Sequence, residues 1–137
     1  LFENVDKKTK NALILGTGGA SKAIKYVLGK NSIKFKTVSR KKKRGDFIYN
    51  ELDKDIMRNY KLIINTTPLG TYPNTERCPN INFNHITKNH ILFDLIYNPN
   101  KTTFLKNGKL KGAKIVNGYD MLIYQAEKSW LIWNEIN

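Results

Sequence analysis

An apolar run, a glycine cluster and a helix-like pattern follow one another in residues 11–26, which read NALILGTGGASKAIKY. The run Ala12–Leu15 predicts a short strand that is buried on both faces, as in a parallel sheet. Gly16 and Gly18 allow a tight turn with no side chain between the backbone and a ligand. Apolar residues recur at helical spacing from Gly19 onward, so free N–H groups of a helix N-terminus point at the same place. The segment therefore predicts a site for the pyrophosphate of a dinucleotide.

The glycine pattern of this loop is incomplete. Ser21 stands where the usual Gly-x-Gly-x-x-Gly fingerprint has its third glycine, and serine is small but is not glycine. A strand-to-helix turn without a ligand is thus an alternative interpretation of this segment taken alone.

Strand and helix signals alternate along the rest of the chain. This alternation predicts one α/β domain over residues 1–137, a Rossmann-like three-layer fold with a mainly parallel sheet flanked by helices. The further strands are expected at residues 34–39, 61–66, 91–97 and 113–117. The helices are expected near residues 51–58, 83–86, 102–110 and 119–136.

Composition excludes several classes of protein. The chain has 137 residues, no apolar stretch long enough to span a membrane, and one cysteine, Cys78, which has no neighbours at metal-ligand spacing. We therefore expect no membrane association and no metal site, and the composition is compatible with a reducing cytoplasm as the location. The net charge of +13 is spread along the chain except for one compact cluster in residues 40–44, RKKKR.

The basic cluster lies where a dinucleotide-binding fold selects its cofactor. At the end of the second strand an acidic residue favours NAD, whereas arginines accommodate the 2′-phosphate of NADP. Ser39, Arg40 and Lys41 stand at this point, Arg44 follows, and no carboxylate precedes Asp46. The sequence therefore predicts NADP as the cofactor.

The same charge permits a second hypothesis, a basic module that binds a nucleic-acid backbone. Such a module needs exposed aromatic side chains interleaved with the basic cluster. The nearest aromatics are Phe35 in a predicted strand and Phe47 and Tyr49 beyond Gly45. We therefore expect no nucleic-acid partner.

Five segments in order resemble one family. They are GTGGASKA (residues 16–23), SRKKKR (39–44), INTTPLGTYPN (64–74), DLIYNP (94–99) and NGYDMLIYQA (117–126). Together they resemble the C-terminal, NADP-binding domain of shikimate dehydrogenase. Ser39, Lys41, Thr71 and Asp120 depart from the family's pattern.

The resemblance implies a role for particular residues. The pyrophosphate would lie on Gly16, Thr17, Gly18, Gly19 and Ala20. The adenosine end would lie on Ser39, Arg40, Lys41 and Arg44, with Arg40 and Arg44 on the 2′-phosphate. Asn65 and Thr66 would line the groove near the nicotinamide ribose, and Leu95, Gly118 and Met121 would position the nicotinamide. Tyr97 and Gln125 would reach the substrate.

The family reaction is the reduction of 3-dehydroshikimate to shikimate by NADPH, in aromatic amino-acid biosynthesis. The resemblance implies that the proton-handling lysine and aspartate lie on an N-terminal substrate domain, so no residue of this chain is assigned as catalytic. We expect the chain to be a domain fragment that binds NADP(H) with negligible turnover alone. We also expect an apolar surface near Trp130 or Trp133 that could pair two copies.

Other functions remain open at this point. A quinate/shikimate dehydrogenase would carry its discriminating residues largely on the other domain. Methylene-tetrahydrofolate dehydrogenase and glutamyl-tRNA reductase have similar domains, but the DLIYNP and NGYDMLIYQA segments favour the shikimate group. A domain that binds NADP only as a regulator is a further alternative.

Overall fold

The computed structural model describes residues 10–118 of the chain. The predicted helix over residues 119–136 and the predicted apolar surface near Trp130 and Trp133 lie outside these residues. Strands and helices alternate within the described part. The strands are β1 (Asn11–Leu15), β2 (Lys34–Ser39), β3 (Phe47–Ile48), β4 (Leu62–Asn65), β5 (Ile91–Asp94) and β6 (Lys114–Val116), and the helices are α1 (Gly19–Lys30), α2 (Lys54–Asn59) and α3 (Thr103–Leu110).

The strands form one parallel sheet. Within residues 10–118 their order is β3-β2-β1-β4-β5-β6, and every neighbouring pair runs parallel. The chain first moves outward from β1 to β3 and then continues on the other side of β1 with β4. The order thus reverses between β1 and β4, and ligands of such sheets bind beyond the carboxyl ends of the strands at this point.

Both faces of the sheet are covered, as a parallel sheet requires. Ala12 and Ile14 of β1 pack on one face with Ile24 and Leu28 of α1. The alternate residues of β1, Leu13 and Leu15, pack on the other face in a cluster that also contains Met57 of α2 and Phe104 and Leu105 of α3. This arrangement of a sheet between two helical layers is the Rossmann-like fold that the sequence predicted.

Three elements differ from what the sequence predicted. Strand β5 was expected to reach Tyr97 but ends at Asp94, because the Asp94 carboxylate accepts a hydrogen bond from the Ile96 N–H and turns the chain. The two-residue strand β3 was not predicted. The helix expected at residues 51–58 begins instead at Lys54, where the Asp53 side chain accepts a hydrogen bond from the Ile56 N–H.

Candidate functional site

The first glycine of the loop is fixed by close contacts on both sides. Gly16 has a φ of +109° and donates its N–H to the Val38 carbonyl of β2 at 2.9 Å. A Cβ at this position would lie 2.7 Å from the Thr66 Oγ1 atom beyond β4. The Thr66 hydroxyl in turn donates to the Leu15 carbonyl at 2.7 Å. Glycine is therefore required where the chain leaves β1 at the reversal point.

The start of α1 is open to a ligand. No described atom lies within 4 Å of a Cβ placed at Gly18 or Gly19, so the backbone there can be approached closely. Gly18 precedes the first helical residue and no acidic side chain occupies the first turn. Ser21 is fully buried and donates its hydroxyl to the Gly18 carbonyl at 2.6 Å, so a small serine takes the place of the third glycine. The free N–H groups of α1 thus face an accessible space of the kind that binds anions.

A first cavity of about 730 Å³ lies beyond the ends of β1, β2 and β4. Its size falls within the range of ligand pockets. Eight of the residues that the sequence singled out as cofactor contacts line it: Gly16, Thr17, Gly18, Ser39, Arg40, Lys41, Arg44 and Thr66. Of the described residues that line this cavity, three are basic and none is acidic.

The basic loop after β2 is folded back on itself. The Ser39 hydroxyl accepts a hydrogen bond from the Lys41 N–H at 3.2 Å, and the Arg44 N–H donates to the Lys41 carbonyl at 3.0 Å. A Cβ on Gly45 would lie 2.9 Å from the Ser39 Cβ, so only glycine lets the loop return this closely. Lys42 does not line the cavity and instead forms an ion pair with Glu51 at 2.7 Å.

The two carboxylates that follow the basic cluster are both engaged elsewhere. Asp46 accepts from the Thr37 N–H at 2.8 Å and from the Thr37 hydroxyl at 3.1 Å, and these bonds hold the pKa of Asp46 below its usual range. Glu51 accepts from the Lys42 ammonium and from the Ile48 N–H, which lowers the pKa of Glu51. Both therefore stay ionised while turned toward these partners, and the cationic side chains Arg40 and Arg44 keep the cavity positive.

The cavity also contains residues that the sequence reasoning missed. Burial raises the pKa of Tyr49 to about 12 and the pKa of Cys78 to about 11, so both side chains are neutral at physiological pH. Tyr49 begins a short 3₁₀ helix and Cys78 lies in a loop. Neither belongs to a recognisable motif, so nothing in the sequence marked them as lining residues. The remaining unpredicted lining residues are Val38, Ile48, Asn50, Thr67, Pro68, Leu69 and Asn80.

A second cavity of about 370 Å³ adjoins the first. Thr66 and Pro68 line both cavities, so the loop after β4 runs between them. Ala20, Leu95 and Tyr97, three of the predicted site residues, line the second cavity, and Tyr97 is 57% exposed. The other lining residues are Thr71, Tyr72, Ile96 and Asn98.

Gly118 holds the end of β6 against the chain beyond β5. Its N–H donates to the Ile96 carbonyl at 3.1 Å, and a Cβ on Gly118 would overlap the Leu95 carbonyl oxygen. Gly118 and Leu95, both predicted to position the nicotinamide, are thus in direct backbone contact. Leu95 lines the second cavity, whereas Gly118 does not line either cavity.

Asn65 differs from the expectation that it lines the groove. Its side chain is fully buried behind the cavity walls, where it donates to the Asp94 carboxylate at 3.1 Å. The Asn65 amide oxygen accepts from the N–H and the hydroxyl of Thr67, at 3.0 and 2.7 Å. The residue therefore orders the loop that forms the wall, because a buried amide must satisfy its own hydrogen bonds. Gly19, also predicted as a contact, lies at the start of α1 but does not line either cavity.

Comparison with known proteins finds relatives among the shikimate dehydrogenases. No protein-family model matches the chain. A shikimate dehydrogenase (NADP(+)) of Methanococcus maripaludis is 45% identical over 93% of the chain and 50% of that relative. The chain is homologous to the shikimate dehydrogenases. It spans about half the length of the curated relatives that it matches.

Solved structures agree with this assignment. The crystal structure of shikimate dehydrogenase from Aquifex aeolicus superposes with a TM-score of 0.78 at 31% identity, over 98% of this chain and 52% of that one. A crystal structure of a shikimate dehydrogenase in complex with NADP+ matches with a TM-score of 0.73 at 32% identity, over 92% of this chain and 49% of that one. The parallel sheet and its flanking helices are therefore those of shikimate dehydrogenases.

Two further residues implied by the likeness to shikimate dehydrogenases, Met121 and Gln125, lie outside the described residues. Within residues 10–118 no helix is long and apolar enough to cross a membrane. In the same part of the chain, no three His, Cys, Asp or Glu side chains are grouped so that they could hold a metal ion.

Proposed function

We propose that this chain binds NADP(H) across the two adjoining cavities. One observation carries the proposal: a single wall, the loop after β4, separates a positively charged cavity of about 730 Å³ from a second one of about 370 Å³ beside the glycine loop. A dinucleotide has two nucleoside halves joined by a pyrophosphate, and this shape offers a place for each. The curated relatives are named for NADP(+), which supports the same cofactor.

The glycine loop and the start of α1 fit the pyrophosphate. The residues for this role are Gly16, Thr17 and Gly18, with Gly19 and Ala20 opening the helix. Space is free where a Cβ would stand at Gly18 and Gly19. The N-terminus of a 12-residue helix adds a favourable dipole for a negative group.

The first cavity fits the adenosine end with its 2′-phosphate. Arg40, Lys41 and Arg44 line it, and an arginine can hold phosphate oxygens with two parallel hydrogen bonds. An acidic residue that would select the 2′-hydroxyl of NAD is missing from the described lining, because Asp46 and Glu51 bond to Thr37 and Lys42. These contacts favour NADP over NAD. They also favour a cavity ligand over a nucleic acid, because Phe47 and Tyr49 are partly buried and pack against the core.

The second cavity fits the nicotinamide half and the substrate. Thr66 and Leu95 would contact the nicotinamide side, and Gly118 would hold Leu95 in place. Tyr97 lines this cavity and is largely exposed, so its side chain would meet the substrate there. Asn65, Met121 and Gln125 stay proposed site residues, the first acting through the loop after β4.

We further propose that the chain is one domain that supplies the cofactor half of a shikimate dehydrogenase. The bound cofactor supplies a hydride for the reduction of 3-dehydroshikimate to shikimate, while the protein orients the two reactants. Since the chain spans about half of its relatives, we assign it binding and positioning and no proton-transferring residue. Negligible turnover by this chain alone is part of the proposal.

Calorimetric titration with NADPH and with NADH tests the proposed cofactor. Arg40→Ala is expected to weaken NADPH binding about 10- to 100-fold, the loss typical of a charged hydrogen-bond partner, and to change NADH binding little. Arg58→Ala is the matched control, since Arg58 is exposed on α2 and does not line either cavity. Equal binding of both cofactors by the unmodified chain, or an equal loss in the control, would contradict the proposal.

A further inference from the structure

A buried carboxylate lies behind the second cavity. Asp94, the last residue of β5, is fully buried and accepts three hydrogen bonds. Its Oδ1 atom accepts from the Asn65 amide and from the Ile96 N–H, each at 3.1 Å, and its Oδ2 atom accepts from the Thr102 hydroxyl at 2.7 Å. None of these groups is required by the hydrogen bonding of the sheet, so the cluster needs a separate explanation.

The first branch of the cluster leads to the loop after β4. Asn65, which donates to Asp94, also binds Thr67: the N–H and the hydroxyl of Thr67 both donate to the Asn65 amide oxygen. The Thr67 hydroxyl then accepts from the Leu69 N–H at 3.2 Å. This chain of bonds fixes residues 66–69, of which Thr66 and Pro68 line both cavities and form the shared wall.

The second branch leads to the opposite side of the second cavity. The Ile96 N–H bond turns the chain after β5 so that Leu95, Ile96 and Tyr97 line the cavity. The Thr102 hydroxyl, which donates to Asp94, also accepts from the Leu105 N–H at 3.3 Å and so caps α3. The Asp94 side chain thus forms hydrogen bonds that connect the loop after β4, the chain after β5 and the start of α3.

We propose that Asp94 is a positioning residue that sets the spacing between the β4 loop and residues 95–97, and thereby the fit of the nicotinamide half of the ligand. This inference rests on the proposed function. Asp94 touches no ligand itself; it acts through Asn65 and Ile96. Asp94 affects the shape of the first cavity only through the wall that the two cavities share.

A carboxylate is suited to this position because each of its three hydrogen-bond partners is a donor. Burial raises the pKa of Asp94 to about 6 against the opposing effect of its three donors, so the group is ionised near neutral pH. An ionised carboxylate only accepts hydrogen bonds. An asparagine in its place would turn an NH₂ group toward one of the three donors. That replacement keeps the shape and loses one acceptor.

The test compares two ligands in Asp94→Asn. Adenosine 2′,5′-bisphosphate probes the first cavity alone, and NADP+ probes both. We expect the affinity for NADP+ to fall about 2- to 30-fold, as is typical of residues that couple distant contacts, with the affinity for the bisphosphate nearly unchanged. A purely structural defect would lower both affinities together and leave their ratio unaltered.

Further variants keep the test valid if Asp94→Asn does not fold. Thr102→Val removes one of the donors and is expected to lower the ratio of the NADP+ affinity to the bisphosphate affinity. Thr102→Ser keeps the hydroxyl, so its ratio is expected to equal that of the unmodified chain. Asp46→Asn is the matched control: Asp46 also accepts an N–H and a hydroxyl, from Thr37, but lies at the other end of the site. In Asp46→Asn the ratio of the NADP+ affinity to the bisphosphate affinity should not fall.

The outcomes separate the inference from the proposed function. Binding of neither ligand by the unmodified chain overturns the proposed function and the inference with it. Binding of both ligands, with an unchanged ratio in Asp94→Asn and Thr102→Val, overturns the inference alone. A lowered ratio in these two variants, with recovery in Thr102→Ser, supports it.

Discussion

At the scale of single residues, the site depends on a glycine, Gly16, at a position where a side chain does not fit. Gly16 combines a φ of +109° with a backbone bond to Val38 and close contact with Thr66. It joins the ends of three strands, because Val38 belongs to β2 and Thr66 follows β4. A side chain there would be strained in its own backbone and would press against its neighbours.

We therefore expect Gly16→Ala to lower the free energy of unfolding by about 1–3 kcal/mol, the cost of a strained backbone position. Urea unfolding measures this change. Gly29→Ala is the matched control, because Gly29 is helical and exposed with no described atom near its Cβ position. There the substitution should stabilise the chain by about 0.5–1 kcal/mol. Equal effects at both glycines would argue against a special role for Gly16.

His90 gives the chain a pH-dependent residue away from the site. Its ring is buried, with Nε2 2.7 Å from the Met57 carbonyl and Nδ1 accepting from the Thr87 N–H. The ring is therefore neutral, with its proton on Nε2. Burial is the largest cause that lowers the pKa of His90, and the charge of Lys61 adds to it.

This arrangement predicts that the stabilisation from neutral His90 is complete above the unfolded pKa of about 6.5 and is lost as the pH falls toward the lower folded pKa. Asp94 works in the opposite direction, since its raised folded pKa adds stability as the pH falls below about 6. Unfolding curves measured against pH report only the sum of the His90 and Asp94 contributions to stability. An NMR titration of the His90 ring separates them, and a ring pKa at or above 6.5 would contradict the assignment.

The motifs located the region of the first cavity but not all of the side chains that line it. Arg40 and Arg44 line the first cavity as expected, because a charge cluster at a known point of the fold carries its own signal. Asn65 was predicted from the same kind of motif, yet it is buried behind the wall. A motif identifies the residue but does not say whether its side chain meets the ligand or the loop. Tyr49 and Cys78 were missed because only the folded chain brings them to the cavity.

At the scale of elements, α3 packs closely against β5 because a glycine of α3 faces the strand. Gly108 is buried in α3, and a Cβ there would overlap the Leu92 side chain of β5. This close approach brings α3 to the end of β5, where Thr102 meets Asp94. The packing of one helix on one strand therefore contributes to the shape of the second cavity.

We expect Gly108→Ala to destabilise the chain by about 1–3 kcal/mol, as overpacking of a core does. Shortening the opposing side chain should relieve the overlap. In a double-mutant cycle Gly108→Ala with Leu92→Val is then expected to cost less than the sum of the single substitutions. Additive costs in urea unfolding would show that the two residues do not press on each other.

The elements themselves follow from sequence periodicity where apolar residues are continuous. Strand β2 was predicted with its observed bounds, Lys34–Ser39, since alternation and flanking turns mark both ends. Strand β5 was expected to be longer, because ILFDLIY is apolar beyond Asp94 and periodicity does not show a side chain turning the backbone. The two-residue strand β3 is too short to leave a pattern.

At the scale of the whole molecule, the proposed site follows from the order of the strands. The glycine loop, the basic loop and the loop after β4 are far apart in sequence but end three adjacent parallel strands, β1, β2 and β4. Alternating strand and helix signals predicted the class of fold. Strand order is set by pairing across the sheet, which local sequence does not encode. The homology to shikimate dehydrogenases, over about half of their length, agrees with the observed order.

A crystal structure of this chain with NADP+ tests the central claim most directly. The account predicts the pyrophosphate within hydrogen-bonding distance of the backbone N–H groups of residues 17–19. It predicts the 2′-phosphate against Arg40 and Arg44, and the nicotinamide beside Leu95. A cofactor bound elsewhere on the surface, or one whose 2′-phosphate points away from both arginines, would contradict it.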